Sequence, residues 1–128
     1  MIIRIDTVST TPIYVQLRNE IVKGIGRGEL SEGECLPTVR QLAADLGVNS
    51  MTVSKAYQTL KAEGFIETDR RRGAIVRSGV QSGAQPDERF REKLEDELEL
   101  LSAEAKIKGL GREEFIHLCS MAFAGMEG

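Results

Sequence analysis

The stretch from Thr38 to Gly73, TVRQLAADLGVNSMTVSKAYQTLKAEGFIETDRRRG, constrains the fold more than any other part of the chain, because its apolar spacing passes from helical to strand-like. Thr38 is placed to cap a short helix whose Val39, Leu42, Ala43 and Leu46 share one face. Gly47 permits the positive φ of a tight turn, Val48 is the apolar plug beneath it, and Asn49 or Ser50 can cap the next helix. There Val53, Ala56, Tyr57 and Leu60 form an i, i+3, i+4, i+7 stripe, with Met51, Ser54, Lys55 and Gln58 on the opposite side. Gly64 ends that helix. Phe65-Ile66-Glu67-Thr68 and Ala74-Ile75-Val76 then read as short strands joined by Asp69-Arg70-Arg71-Arg72-Gly73. Two helices around a glycine turn, followed by an arginine-tipped hairpin, make a winged helix-turn-helix.

Such a second helix has the two faces needed to pack on one side and enter the major groove of double-stranded DNA on the other. Ser50, Met51, Thr52, Ser54 and Lys55 would lie nearest the bases. Arg70, Arg71 and Arg72 place fixed positive charge where a wing meets phosphates or a minor groove, and Gly73 closes the tip. Taken singly, the helix pair also fits an ordinary helical core and the arginines a solvated loop; taken in series, they point to DNA.

Longer-range motifs extend this reading. The run Pro12-Ile13-Tyr14-Val15-Gln16-Leu17, then Gly28-Glu29-Leu30, Gly33, Leu36 through Ala43, Leu46-Gly47-Val48, Thr52-Val53, Lys55-Ala56-Tyr57, Leu60, Glu63-Gly64 and Gly73 resembles the GntR family of bacterial transcription regulators. The match covers roughly the first three fifths of the chain, and the short acidic helical tail resembles the family's small YtrA-type branch. The resemblance implies DNA-contacting roles for Arg40, Ser50, Met51, Thr52, Lys55, Arg72 and Gly73. It implies repression as the sign of regulation. Many members carry arginine at the positions of Met51 and Lys55, so the preferred operator does not transfer. Methionine suits a thymine methyl, whereas arginine favours guanine.

Composition bounds the rest. The 128 residues, 41% hydrophobic and only 5% aromatic, allow one domain with an aliphatic core plus an appendage. A net charge of −3 argues against indiscriminate nucleic-acid binding, but the average conceals an asymmetry. Residues 1–79 hold 11 Lys/Arg against 9 Asp/Glu, net +2, whereas residues 80–128 hold 6 against 11, net −5. No apolar run reaches the length of a membrane span and the first residues lack a signal peptide's apolar core, so a cytoplasmic protein with no membrane partner is expected. Cys35, in a loop, and Cys119, on a helix, form no CxxC or Cys/His cluster; reduced thiols are expected, with no metal and no cofactor.

Around the reading module, Ile2, Ile3 and Ile5 suggest a short strand. Thr11 and Pro12 mark a helix start, with proline in the first turn and Ile13, Leu17, Ile21 and Ile25 on its buried side. The expected domains are residues 1–78 for DNA binding, a small polar hinge at 79–86 and a helical tail at 87–128. In the tail, a helix from Pro86 to Lys108 aligns Phe90, Leu94, Leu98, Leu101 and Ala105, with Gly109 as its stop. A last helix from about Arg112 to Ala124 aligns Phe115, Leu118, Cys119 and Ala122. Two amphipathic helices so briefly joined cannot cover both stripes, so these residues are expected to dimerise with a second tail on a palindromic operator. A hairpin folded back on its own reader is the alternative.

The single histidine, His117, falls opposite the tail's apolar stripe, and no phosphate-cradling loop, ligand cluster or nucleophile-base pair is present, so catalysis is not expected. A winged helix used for protein docking, and a regulator with a small-molecule effector between paired tails, remain the alternatives to a plain DNA-binding repressor.

Overall fold

Residues 3–77 and 87–127 are described by the computed structural model, and the chain divides into two units, Met1–Ser78 and Gly79–Gly128. The described residues form five helices and one two-stranded antiparallel sheet, a mainly α fold with a small β wing. The hinge expected at 79–86 lies outside the described residues, as does Pro86.

In the first unit, α1 (Ile13–Gly26) turns Leu17 and Ile21 fully inward. The helix starts one residue later than its sequence implies, because Pro12 is the N-cap and its carbonyl accepts from the N–H groups of Val15 and Gln16. Next, α2 (Val39–Leu46) begins on a complete capping box: Thr38 Oγ1 accepts from the Gln41 N–H, and Gln41 Oε1 accepts from the Thr38 N–H. Gly47 takes φ +69 at its end, a left-handed conformation that lets the Val48 N–H reach the Ala43 carbonyl at 3.0 Å. In α3 (Ser50–Ala62) the predicted stripe is the buried one, with Val53, Ala56 and Leu60 wholly enclosed. Burying a side chain such as Val53 or Leu60 contributes about 1.5–3 kcal/mol, so the stripe fixes which side of α3 faces inward.

The wing pairs β1 (Ile66–Asp69) with β2 (Gly73–Val76), Ile66 opposite Val76 and Asp69 opposite Gly73. The first strand is shifted by one residue from the sequence expectation and the second begins one residue earlier, which shortens the connection to Arg70-Arg71-Arg72. The loop before α2 also lies along β2. Gly33 N–H donates to the Val76 carbonyl, Val76 N–H to Glu34, and Leu36 N–H to Ala74, so Cys35 pairs with Ile75 rather than lying in a free loop.

The N-terminal strand is not formed among the described residues. Ile3 and Ile5 instead lie partly buried on the core, and Ile2 is outside the described residues. The Gln16 side-chain amide takes the place of a ladder partner, accepting from the Asp6 N–H at 2.8 Å and donating to its carbonyl at 2.9 Å.

The second unit is a helical hairpin of α4 (Glu88–Ile107) and α5 (Arg112–Ala124). Asp87 caps α4 by accepting from the Phe90 N–H at 2.8 Å, and Leu110 N–H closes its other end on the Ala105 carbonyl. No residue of either helix is buried. Phe90, Leu94, Leu98, Leu101 and Leu118 are exposed, Ala122 likewise, and only Ala105, Leu110 and Phe115 are half covered near the turn. No described helix is long and apolar enough to cross a membrane, and no described group of His, Cys, Asp and Glu could hold a metal ion.

Candidate nucleic-acid interface

Three parts of the first unit supply the polar side chains singled out in the sequence. The start of α3 is held by Asn49, whose Oδ1 accepts from the Met51 N–H at 2.7 Å, so Ser50 and Met51 project from the first turn into solvent. Met51 is 77% exposed, a large apolar side chain with no covering in this unit. Thr52 and Ser54 are partly covered, while Lys55 and Gln58 are exposed on the side opposite Val53, Ala56 and Leu60. Arg40 is exposed in the first turn of α2.

At the wing, Asp69 accepts from the N–H groups of Arg71 at 2.7 Å and Arg72 at 3.2 Å. These backbone donors, aided by the nearby Arg72 guanidinium, hold its carboxyl below the usual carboxylate range. Gly73 follows at φ +80, a conformation open to few other residues, and it returns the chain into β2. The local hydrogen bonds therefore fix the hairpin tip and leave Arg70, Arg71 and Arg72 exposed.

Between α3 and the wing runs a groove of ≈ 380 Å³. It brings Ser54, Arg72 and Gly73 together, and adds Thr38, Gln58, Lys61 and Thr68, none of which was counted among the expected contacts. Gln58 was legible as part of the polar side of the helix. Lys61 and Thr68 were not, since only the folding of the hairpin alongside α3 brings them to the same groove. Its floor includes Tyr57, whose hydroxyl donates to the Pro37 carbonyl at 2.7 Å and ties α3 to the cap of α2. Burial pushes the Tyr57 phenol up to about 12. The groove thus sets the cationic side chains of Lys61 and Arg72 beside apolar walls that include Leu36, Val39 and Ile66.

Lys55 does not line this groove. Its ammonium lies 4.2 Å from the centre of the Tyr14 ring on α1. One turn further along α1, Arg18 forks both carboxylate oxygens of Glu63 at 2.9 and 3.0 Å and lies over the Phe65 ring.

Residues 11–76 match the bacterial regulatory proteins of the gntR family. The chain is 41% identical over 80 residues to the transcriptional repressor YtrA of Bacillus subtilis, covering 62% of this chain and 62% of that one. The first curated relatives are thus matched over about three fifths of their own length. Among solved structures, a transcriptional antiterminator from Listeria monocytogenes EGD-e superposes with a TM-score of 0.88 at 28% identity, over 100% of this chain and 94% of that one. YtrA from Sulfolobus acidocaldarius, a GntR-family transcription factor, gives 0.66 at 40% identity over 80% and 99%. The DNA-binding domain of AraR, solved in complex with operator ORR3, gives 0.50 at 26% identity over 57% and 88%.

Proposed function

Because the chain belongs to the GntR family of bacterial regulatory proteins, we propose that it is a sequence-specific DNA-binding transcriptional regulator, a repressor acting as a homodimer on a palindromic operator. The observation that carries this reading is the division of α3: its apolar stripe is enclosed while Ser50, Met51, Lys55 and Gln58 stand in solvent beside an arginine-tipped wing. In this reading α3 enters the major groove. Ser50, Met51, Thr52, Ser54 and Lys55 meet base edges, and Met51 offers its apolar end to a thymine methyl. Arg40, Arg70, Arg71, Arg72 and the backbone at Gly73 meet phosphates or the adjacent minor groove, while Lys61 and Gln58 flank the strand between helix and wing. Residues 1–78 are the reader and 87–128 the coupling element, working in the cytoplasm.

Dimerisation follows from the tail. A single chain leaves Phe90, Leu94, Leu98, Leu101 and Leu118 exposed together with half-covered Phe115 and Ala105, apolar side chains at one helical spacing of the kind that marks an interaction surface. A second tail covers it and links two readers, so that the second half-site is bound at high effective concentration. Repression then follows from occupancy of a promoter. The acidic tail helices keep their own surface off DNA.

Selection of duplexes from a random pool by the full chain, followed by a gel-shift titration against salt, tests this directly. The expected result is an enriched two-fold symmetric sequence whose log affinity falls linearly with log salt, each phosphate contact adding roughly 0.9 to the slope. Recovery of no duplex above the starting pool would overturn it.

A further inference from the structure

We propose that Tyr14 is a positioning residue for DNA recognition: its ring holds the Lys55 ammonium in place before the duplex arrives. The inference rests on the DNA-reading role given to α3 above. Lys55 is the sole cation in the first two turns of that helix, and its ammonium sits 4.2 Å from the ring centroid, inside the range where the negative face of an aromatic ring attracts a cation. The ring itself is anchored. Tyr14 is half-buried against the core of the first unit, and Arg18, its i+4 neighbour on α1, is forked onto Glu63 just beyond α3. These two contacts register one face of α1 against both ends of the second half of α3.

The kind of partner matters as much as its distance. Arg18 and Arg72 are paired with Glu63 and Asp69, whereas among the described residues no carboxylate pairs with Lys55. A carboxylate would neutralise the charge that DNA is to meet; a ring orders the ammonium and leaves its charge intact. The ammonium carries three donors, and a ring beneath it leaves the others free for a phosphate oxygen or a base acceptor. A lysine already ordered loses less conformational freedom on binding than one that is free to move.

A double-mutant cycle on the full chain tests the proposal, with a duplex obtained by selection and Tyr14→Leu, Tyr14→Phe, Lys55→Ala and the Tyr14→Leu/Lys55→Ala pair. Tyr14→Leu should weaken binding by about two- to five-fold in the wild-type background and leave the Lys55→Ala protein unchanged, while Tyr14→Phe should bind as the wild type does. In the DNA-free protein, the Lys55 ε-methylene protons should show an upfield ring-current shift in NMR spectra, lost in Tyr14→Leu and kept in Tyr14→Phe. Equal weakening by Tyr14→Leu in both backgrounds would overturn the proposal, because the ring would then act on DNA or on packing rather than through Lys55. So would no weakening, or an unshifted ε-methylene signal. If Lys55→Ala binds as tightly as wild type while the ring-current shift is present, the pairing stands but the premise that Lys55 meets DNA falls, and the positioning role with it.

Discussion

In the first unit Leu17, Ile21, Val53 and Leu60 are fully enclosed, whereas in the second no residue of α4 or α5 is buried and Leu94 and Leu98 stand 44% and 39% exposed. Both units are built from amphipathic helices with apolar residues at the same helical spacing. What separates them is the number of surfaces available to close a core: α1, α2, α3, the wing and the loop carrying Leu30 and Leu36 converge in the first, but the second has two helices and one turn. A pair of helices has too little interior to enclose both stripes, so the first unit closes its own core while the tail leaves its stripes open, as the proposed pairing with a second copy requires.

The largest effect should come from the closed core. Leu60→Ala is expected to destabilise the first unit by about 2–5 kcal/mol in urea denaturation, because a fully buried leucine leaves a cavity. Leu98→Ala in a dilute, monomeric sample should change stability far less, and equal losses would erase the distinction between the units.

Next in size is the coupling of the tails. Leu94→Glu with Leu98→Glu should shift the protein to monomers in sedimentation velocity and weaken operator binding on the order of 100-fold, as the second reader is no longer tethered. Retention of the dimer would move the interface elsewhere.

Two smaller effects probe the reader alone. Tyr57→Phe removes the hydrogen bond to the Pro37 carbonyl and should cost about 1 kcal/mol near neutral pH. Tyr57 also carries a pH signature. Its phenol is raised from 10.0 to about 12 by burial, so the unfolded chain loses this proton first and stability declines as pH rises from 10 towards 12. Below pH 10 that contribution is fully present, and thermal melts of Tyr57→Phe should show a shallower alkaline decline. Lys61→Ala should lower affinity evenly across duplex sequences and reduce the log-log salt slope by roughly 0.9 without altering sequence preference.

Much of the reader was legible because side-chain spacing encodes it. The stripe at Val53, Ala56, Tyr57 and Leu60, the Thr38 cap and the Gly47 turn each follow from one residue type at one position, and all three stand where the sequence put them. The pairing of 33–36 with β2 was not legible, since those bonds run through backbone groups of a segment with no alternation. The isoleucines near the N-terminus misled for the related reason that apolar residues can reach a core without a ladder. Gln16 supplies the polar partners that a neighbouring strand would have given Asp6. In the interface, the spacing located Ser54 and Lys55 on one side of α3, but only the folded hairpin shows that Ser54 shares a groove with Lys61 and Arg72 while Lys55 leans to Tyr14.

Backbone amide shifts of the labelled full chain, recorded with and without a selected duplex, bear most directly on whether the exposed side of α3 is the DNA-reading surface. Changes should concentrate in Thr38–Gln41, residues 50–58 and residues 69–74, with α4 and α5 unaffected by the duplex. Changes centred on the tail helices, with residues 50–58 silent, would contradict that role for α3.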